Sequence, residues 1–559
     1  MEKAARVTPR ARAREGVCAV GLAQRMALLL AEVFWPGPDA DPRSAVAAHI
    51  SVPIDVISDV QLLRRSVDAR SRPPRWRANY RVELSVDEAA VLARGIHGVR
   101  AYTDRDVARY STEDPPSAAR HAWREGARPI VVGAGPAGLF AALRLGEAGA
   151  PAILLERGDP VEKRHYTVRD FWRHRRLDPE SNVVFGEGGA GAFSDGKIYT
   201  RRRDGDLGWI FRRLVQHGAD PEILAEGWAH LGTDRIREIL PRLRGQLQAL
   251  GVDVRFGACV SELIVEDGRC VGVVLSDGQR IMGGPVIVAT GHSARDVWQW
   301  MLDAGAEAES RPIHIGARIE HPQRLIDASR YGQERGDLPP ASYRLRSNPK
   351  QGRPAHTFCM CPGGTVVPAT NHADRVVVNG MSYSKRQAFY ANSAVIVPVG
   401  PEDYGASDPL AGARFQDAIE AKAFEAAGSD YTAPAQRVRD FLQDRPSVDL
   451  PRASYILGLT PVDLTEILPD PVVQGMKTAI RHFDKRVPGF AGEDGVLIAP
   501  ETRTTAPLRF LRDDHMMSTS VADLMPVGEG AGYAGGIISA ALDGMRAAQV
   551  LIERYAPVK

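Results

Sequence analysis

The glycine-rich segment Gly133–Gly138 constrains the fold of this 559-residue chain more than any other feature. It has the sequence Gly-Ala-Gly-Pro-Ala-Gly and follows a short apolar run, Pro129–Val132. A helical pattern, Pro136–Gly149, comes next, and a second apolar run, Ala152–Leu155, leads into the acidic Glu156. A strand, a glycine turn, a helix and a strand make a βαβ unit, the building block of parallel sheets. The sequence therefore predicts an α/β domain.

The spacing of these residues is typical of a Rossmann-like site for a dinucleotide. Gly133 allows the tight turn, Gly135 lets backbone N–H groups approach a pyrophosphate at the helix N-terminus, and Gly138 lets helix and strand pack closely. Glu156 would accept hydrogen bonds from the adenosine ribose hydroxyls and would repel a 2′-phosphate. The motif therefore favours FAD or NAD over NADP.

A second glycine-rich segment near the C-terminus distinguishes FAD from NAD. Leu524–Val527 is predicted to be a strand, Gly528–Gly536 contains Glu529 and five glycines, and a helix is predicted from Ile537 to Arg554. The acid can hold the ribityl hydroxyls of FAD, and free N–H groups at the helix start can face the flavin pyrimidine edge, where reduction places negative charge. NAD needs no such element, so the sequence favours FAD.

A third glycine-rich segment, Gly186–Gly196, ends in a match to the GxxxxGK pattern of a P-loop. The next residue is Ile198 rather than Ser or Thr, and Lys197–Thr200 is β-like, which argues against ATP binding. In a flavoprotein, the small residues would let the backbone run along the pyrophosphate and the isoalloxazine. Lys197 could then stabilise an anionic reduced flavin or polarise a substrate carbonyl, although a surface salt bridge is the alternative.

With these motifs, the chain resembles the two-dinucleotide-fold flavoproteins of the glutathione-reductase-like type. Within them, it is similar to the bacterial FAD-dependent dehydrogenases, also called NAD(P)/FAD-dependent oxidoreductases. The resemblance spans most of the chain and is carried by Arg65–Arg70, Gly133–Gly138, Glu156–Gly158, Phe185–Lys197, Cys359–Gly364, Glu501–Arg503 and Gly528–Gly536.

The motifs and the resemblance together give a set of candidate site residues. Lys197 and Asp195 are the candidate catalytic residues, and no metal site is predicted. The candidate FAD-binding residues are Gly133, Gly135, Pro136, Ala137, Gly138, Glu156, Arg157, Gly188, Gly189, Gly191, Ser194, Gly291, Gly528, Glu529, Gly535, Gly536 and Ile537.

The predicted fold class is α/β, with a Rossmann-like FAD-binding domain that carries a β-meander, an inserted α+β substrate domain and a small N-terminal α+β module. Strands predicted at 252–256, 259–265, 271–275 and 280–282 form the meander. The predicted segments are the N-terminal module (1–105), a linker (106–126), the FAD-binding domain (127–200, 251–299 and 491–559), a helical segment (201–250) and the substrate domain (300–490).

Composition narrows the class of protein further. The 71 basic and 69 acidic residues nearly cancel, so the net charge gives no reason to expect binding to nucleic acid or to an anionic membrane. Val17–Trp35 is the one early apolar candidate, and Arg25 and Glu32 interrupt it, so we interpret it as an amphipathic helix. Five scattered cysteines fit a reducing, cytoplasmic location, and Cys359 and Cys361 are interpreted as structural.

The leading hypothesis is hydride transfer between bound FAD and a small organic substrate. No second GxGxxG has the strand, helix, strand and acid context of Gly133–Glu156, so NAD(P)H would be a transient partner, and another external electron donor or acceptor is an alternative. A flavin-dependent monooxygenase is the first competitor. An RNA-modifying flavoprotein would use the basic, aromatic segment Arg169–Arg176, which is more typical of a solvated helix face, so nucleic acid is not expected. A non-catalytic redox sensor is the remaining alternative.

Overall fold

The computed structural model describes residues 27–71, 73–110, 123, 128–198, 200, 205–225, 229–332, 335–405 and 407–555. The described residues of Met1–Leu63 and Ala78–Thr103 form a small compact unit, and those of Arg64–Arg77 and Asp104–Lys559 form a large one. Among the helices of the described ranges, none has both the length and the apolar composition needed to cross a membrane.

The small unit is a four-stranded sheet with two helices, which confirms the predicted α+β module. Its sheet order, β2-β3-β1-β4, and its βαββαβ element order are those of a ferredoxin-like arrangement. Its elements are β1 (Leu28–Phe34), α1 (Pro42–Ile50), a 3-10 turn (Ile54–Val56), β2 (Ile57–Asp68), β3 (Arg75–Leu84), α2 (Glu88–Leu92) and β4 (Val99–Ala101).

The predicted helix Val17–Trp35 is wrong over residues 28–34, which are β1, and its first ten residues lie outside the described ranges. Leu28 and Leu30 are fully buried, and β1 pairs antiparallel with β4. Periodicity alone cannot separate a short buried strand from a buried helix, and here the pairing partner lies 70 residues further along the chain. The predicted linker 106–126 also begins inside a helix, α3 (Asp104–Tyr110).

The large unit begins with the predicted α/β domain. Its five-stranded sheet has the order β23-β11-β5-β6-β7, and all four pairings are parallel. Between residues 130 and 303, the elements are β5 (Ile130–Val132), α4 (Pro136–Glu147), β6 (Ile153–Glu156), α5 (Val161–His174), two 3-10 turns (Gly189–Phe193 and Pro221–Leu224), α6 (Leu207–Gln216), α7 (Gly232–Ala249), β7 (Asp253–Phe256), β8 (Val260–Glu266), β9 (Arg269–Leu275), β10 (Arg280–Met282), β11 (Val286–Val288) and α8 (Arg295–Asp303).

The predicted β-meander is confirmed for three of its four strands. The antiparallel sheet has the order β10-β9-β8. The first predicted strand, 252–256, is instead β7 and extends the parallel sheet beside β6. This correction follows from the chain path, because a strand that follows the long helix α7 is a crossover strand, and crossover connections join parallel neighbours.

A seven-stranded sheet, β14-β15-β18-β13-β21-β19-β20, builds the second part of the large unit. Its strand β21 lies at 496–501, beyond the predicted limit of the substrate domain at residue 490. The elements are β12 (Ala308–Ser310), β13 (Ile313–Pro322), α9 (Gln323–Tyr331), β14 (Arg346–Ser347), β15 (Ala355–Cys361), β16 (Thr365–Pro368), β17 (Val378–Met381), β18 (Tyr390–Val399), α10 (Pro401–Tyr404), α11 (Ala411–Ala426), β19 (Ala433–Arg437), α12 (Val438–Leu442), β20 (Leu459–Pro461), a 3-10 turn (Leu464–Glu466), α13 (Asp470–Asp484), β21 (Val496–Glu501), β22 (Leu508–Phe510), β23 (Leu524–Pro526) and α14 (Ile537–Tyr555).

Helices α4 and α14 pack closely under the parallel sheet, and glycines make this possible. A Cβ at Gly138 would lie 1.8 Å from the Gly133 carbonyl oxygen, and one at Gly544 would lie 1.9 Å from that of Ala137. Real Cβ atoms do not approach backbone this closely, so only glycine fits either position. The close packing holds the N-terminus of α4 at the carboxyl edge of the sheet, where the cavity described below opens.

The buried His321 in β13 makes the second sheet sensitive to acid. Its Nε2 lies 2.9 Å from the Phe490 carbonyl oxygen, and burial lowers the pKa of His321 to about 4. An unfolded histidine takes up its proton near pH 6.5, whereas the folded one does so only near pH 4, so the stability that is present above pH 6.5 is lost as the pH falls. We expect this residue alone to remove about 2 to 3 kcal/mol of unfolding free energy between pH 7 and pH 4.5.

Urea unfolding between pH 7 and pH 4.5 tests this expectation. His321→Gln, which can still donate to the Phe490 carbonyl, should lose less stability over that range than the native protein. His515→Gln, at an exposed position, should behave as the native protein does. Equal acid sensitivity in the native protein and His321→Gln would contradict the assignment.

Candidate active site

A cavity lies at the carboxyl ends of the parallel strands, where open α/β sheets bind their ligands. The segments that follow β5, β6, β11 and β23 all line it, and so does the wall of the second sheet. Of the predicted site residues, the following line this cavity: Gly133, Gly135, Pro136, Ala137, Glu156, Arg157, Gly189, Gly191, Ser194, Asp195, Lys197, Gly291, Gly528, Glu529, Gly535, Gly536 and Ile537.

Two of the candidate FAD-binding residues, Gly138 and Gly188, do not line the cavity. Gly138 packs under the Gly133 carbonyl, as described above. Gly188 has a left-handed backbone, with φ of 84°, and a Cβ there would lie 2.5 Å from Leu240 Cδ1. Both glycines therefore allow close packing within the protein and do not face the cavity.

Other glycines leave space on the cavity side that the protein itself does not fill. A Cβ at Gly535 or Gly291 would meet no protein atom within 4 Å, and one at Gly135 would meet its nearest atom, Gly189 Cα, at 4.0 Å. Gly135 has φ of −74° and ψ of −178°, which any residue can adopt. Its lack of a side chain is therefore not needed by the fold, and it fits the close approach of a ligand such as the pyrophosphate of FAD.

Glu156 ends β6 and holds two loops of the cavity together. Its Oε2 accepts a hydrogen bond from the Ala134 N–H at 2.7 Å, and its Oε1 accepts from Gly158 and Gly186 N–H groups at 3.0 Å each. A carboxylate offers about four acceptor positions, so capacity remains toward the cavity. This arrangement fits the predicted role of Glu156 as an acceptor for ribose hydroxyls.

Replacing Glu156 by alanine is expected to weaken binding of the predicted cofactor, FAD, by about 1 to 3 kcal/mol, because a charged acceptor is lost. Titration of the folded apoprotein with FAD measures this. Asp159→Ala, a neighbouring carboxylate that does not line the cavity, should leave the affinity unchanged. Native affinity in Glu156→Ala would mean that another residue holds the ribose.

The N-termini of two helices open on the same cavity. Pro136 and Ala137 at the start of α4, and Ile537 and Ala540 at the start of α14, line it. The observed start of α14 at Ile537 confirms the predicted one. Because the first N–H groups of a helix carry partial positive charge, both ends suit negative groups of a ligand.

Lys197 and Asp195 line the cavity and form an ion pair. The Lys197 ammonium is 3.1 Å from Asp195 Oδ2, and Arg386 Nη2 lies 2.7 Å from the same oxygen. The Ser382 hydroxyl donates to Asp195 Oδ1. Lys197 also forms an antiparallel β-bridge with His230, which agrees with the predicted β-like conformation at Lys197.

Charge fixes the protonation state of this pair. Burial disfavours the charge on both groups, yet the attraction between them outweighs it. The pKa of Asp195 is held below its usual value by Lys197 and Arg386, and the pKa of Lys197 is held above its usual value by Asp195. Lys197 is therefore a cation and Asp195 an anion throughout the neutral range.

Sequence reasoning missed several residues that also line this end of the cavity. They come from β15, from β17 of the two-stranded sheet β16-β17, and from β21 and the residues after it: Phe358, Cys359, Cys361, Asn379, Gly380, Glu501, Arg503 and Thr504. Cys359 and Cys361, which were interpreted as structural from the sequence, both line the cavity. Their signal in the sequence was the Cys-Met-Cys-Pro motif, but the register shift of β15 between Phe358 and Cys361 is not visible there.

The basic segment Arg169–Arg176 lies partly in α5 and partly in the turn after it. Phe171 is buried and Trp172 half-buried, while Arg169 and Arg173 are exposed. Arg175 binds the backbone carbonyl of Leu457 at 2.8 Å. The segment thus has the predicted form of a solvated helix face over buried rings.

Comparison with known proteins agrees with this architecture. Residues 128–167 match the family model of an FAD binding domain, residues 312–504 match that of an FAD-dependent protein, C-terminal domain-like, and residues 37–85 match a domain of unknown function. An uncharacterized protein of Clostridium beijerinckii is 41% identical over 504 residues, which cover 89% of this chain and 93% of the relative.

Among solved structures, the chain is similar to the glycerol-3-phosphate dehydrogenase of Bacillus halodurans complexed with FAD, with 11% identity, a TM-score of 0.35, and coverage of 77% of this chain and 65% of that one. It is also similar to a geranylgeranyl bacteriochlorophyll reductase-like protein of Thermoplasma acidophilum, with 14% identity, a TM-score of 0.33 and coverage of 77% and 81%. The cofactor is FAD, as the matched family models and the cavity both indicate. The chain belongs to the same family as the Clostridium beijerinckii protein, a family of FAD-dependent oxidoreductases.

Proposed function

We propose that this flavin-dependent redox enzyme transfers hydride between its bound FAD and a small organic substrate. The observation that carries the proposal is the Lys197 ammonium, which lines the same cavity as the glycine loops and is fixed by Asp195. A fixed cation at this position stabilises negative charge that develops during hydride transfer. The substrate would lie between the flavin ring and the wall formed by Lys197, Cys361 and Asn379.

The cavity residues fit FAD along its length. Gly133–Ala137 and the N-terminus of α4 would hold the pyrophosphate, Glu156 the adenosine ribose, and Glu529 with the N-terminus of α14 the ribityl chain and the flavin pyrimidine edge. When bound, FAD supplies a two-electron acceptor and donor of hydride. The remaining chemistry then depends on groups of the chain itself.

Lys197 and Asp195 have different roles in this proposal. Because Lys197 stays protonated, it donates a hydrogen bond to a carbonyl oxygen of the substrate or to the reduced ring, and it does not act as a base. Asp195 is held by Arg386 and Ser382 and does not take up a proton near neutral pH, so it positions Lys197. This replaces the expectation that both are catalytic with one catalytic and one positioning residue.

Electrons would enter from an external donor such as NAD(P)H, which would bind transiently. Of the three GxGxxG matches in the sequence, at 133–138, 186–191 and 530–535, only Gly133–Gly138 lies in a βαβ unit that ends in an acidic residue. This unit serves FAD, so a nicotinamide has no such unit of its own. A monooxygenase would use the same flavin but would consume oxygen in the reaction. The experiment that tests the proposal therefore separates the two.

The experiment is anaerobic. Enzyme that has been reduced chemically is mixed with a panel of small carbonyl and enone compounds, and flavin reoxidation is followed by absorbance. The proposal expects at least one acceptor to reoxidise the enzyme-bound flavin faster than free reduced flavin and to be reduced stoichiometrically. Product that forms only in air, with an oxygen atom from O₂, would contradict it and favour the monooxygenase.

The role of Lys197 is tested by replacing it with methionine. Loss of the cation should lower the midpoint potential of bound FAD by about 30 mV or more, which corresponds to about 1.4 kcal/mol for a two-electron couple. Lys350→Met, at an exposed loop position, should leave the potential at the native value. A Lys197→Met enzyme with full FAD content and an unshifted potential would show that the ring lies elsewhere.

A further inference from the structure

The cavity wall carries two free thiols two residues apart. Cys359 and Cys361 end strand β15 and both line the cavity beside Lys197. Cys361 is fully buried, whereas Cys359 is exposed. The Cys361 thiol donates to the Cys359 carbonyl oxygen at 3.2 Å, so it is turned back toward Cys359.

The backbone at Cys359 is in a conformation that side-chain-bearing residues rarely adopt. Its φ is 42°, in the left-handed region, and the pairing of β15 with β18 shifts register between Phe358 and Cys361. Such a bulge places two residues opposite one and contracts the strand locally. Strained residues of this kind cluster at functional sites.

A fully buried arginine holds the strained segment in place. Arg318 donates to the Cys359 carbonyl oxygen from Nη1 at 3.2 Å and from Nη2 at 3.3 Å. Arg318 is itself fixed by Glu501 at 2.7 Å and by Asn392 at 2.6 Å. The Arg318–Glu501 ion pair in the second sheet therefore fixes the backbone of Cys359 at the cavity wall.

Two cations flank the second sulfur. Lys197 Nζ lies 3.9 Å and Arg318 Nη1 lies 3.8 Å from Cys361 Sγ. Burial raises the pKa of the Cys361 thiol, so it rests protonated, while Lys197 and Arg318 partly offset this effect by stabilising the thiolate. Cys361 therefore has two cations in place to stabilise the thiolate that thiol–disulfide exchange requires.

We propose that Cys359 and Cys361 form a reversible disulfide that exchanges two electrons with the bound FAD. On oxidation, both S–H bonds break and the S–S bond forms; two electrons and one proton pass to the flavin ring, and the second proton passes to solvent. Residues two apart in a regular strand lie near the upper limit of disulfide separation. The register shift and the left-handed backbone at Cys359 take this pair out of that regular geometry. A strained disulfide of this type is easily reduced, so the reverse reaction is accessible.

The proposal rests on the proposed position of the flavin ring beside Lys197, and it goes beyond hydride transfer to an organic substrate. It assigns a second two-electron redox group, the Cys359–Cys361 pair, to the cavity wall. Cys270 is also buried, but it lies in the β-meander and does not line the cavity, so it provides a matched control.

Anaerobic reductive titration of the air-oxidised, FAD-loaded enzyme tests the proposal. The native enzyme and Cys270→Ser should each take up four electrons per FAD, whereas Cys359→Ser and Cys361→Ser should take up two. Mass spectrometry should show the native peptide that contains both cysteines to be lighter by two hydrogens in the oxidised enzyme than in the reduced one. This second readout needs no variant.

Uptake of two electrons by the native enzyme, with the peptide at its full thiol mass after oxidation, would overturn the proposal. The result is independent of the organic substrate. Four-electron uptake with no active carbonyl acceptor would support the disulfide proposal and contradict the proposed function. Two-electron uptake with an active acceptor would contradict the disulfide proposal and support the proposed function.

Discussion

Gly135→Val is expected to fold as the native protein does but to lose FAD. The position accepts a side chain as far as the protein is concerned, because its backbone is extended and the nearest atom to an added Cβ lies at 4.0 Å. The valine methyl groups would occupy the space that the pyrophosphate needs. Overpacking of this kind costs about 1 to 3 kcal/mol, and with the lost backbone contacts we expect FAD affinity to fall by about 100-fold or more.

Flavin content after purification, together with the thermal transition of the apoprotein, measures this result. Gly245→Val in α7 is the control, since a Cβ there also meets nothing within 4 Å but the position does not line the cavity. It should retain FAD. Full flavin content in Gly135→Val would mean that the pyrophosphate does not pass this loop.

Arg318→Met is expected to destabilise the protein by about 3 to 5 kcal/mol, because it leaves the Glu501 carboxylate buried without its partner. Arg318 is fully buried and holds Glu501, Asn392 and the Cys359 carbonyl together. Burial already holds the pKa of Glu501 above its usual value, despite Arg318. The loss should therefore shrink as the pH is lowered and Glu501 takes up a proton.

Urea unfolding of native, Arg318→Met and Arg318→Met/Glu501→Gln proteins checks this. The double variant should recover part of the lost stability, because the glutamine at position 501 carries no charge to bury. Equal stability of the single and double variants would show that the loss comes from packing alone, and an undestabilised Arg318→Met would contradict the role assigned to the pair.

The parts of the site that lie close together in sequence could be predicted, because local patterns determine them. Gly133–Gly138 and Glu156 belong to one βαβ unit, and Glu529 and Ile537 belong to one strand, loop and helix. A glycine at a turn, an acid at a strand end and an apolar run each have a direct conformational meaning. The cofactor followed from these local units.

The other wall of the cavity could not be predicted, because long-range pairing builds it. Asp195 meets Arg386 and Ser382 across about 190 residues, and Arg318 meets Glu501 across 183. Neither pair has a sequence pattern that relates its members. The place of Cys359 in the cavity lining could not be predicted for the same reason, since its backbone belongs to a bulge that exists only when β15 pairs with β18.

Two predictions were wrong where the pairing of strands in the folded protein decides between alternatives. The run at 28–34 is apolar enough for a buried helix or a buried strand, and pairing with β4 settles it. Residues 253–256 are adjacent in sequence to the meander, yet they pair with β6 in the parallel sheet. In both cases the outcome depends on which strand the segment pairs with, and its local sequence does not contain that information.

The central claim is that the reacting ring of FAD lies against the wall that contains Lys197. The most direct test is the experimental structure of the FAD-loaded enzyme. The account predicts the adenosine half between Gly133–Ala137 and Glu156, and the isoalloxazine in contact with Lys197 and the Cys359–Cys361 segment. An isoalloxazine bound away from Lys197, with the adenosine half still on the glycine loop, would contradict the account.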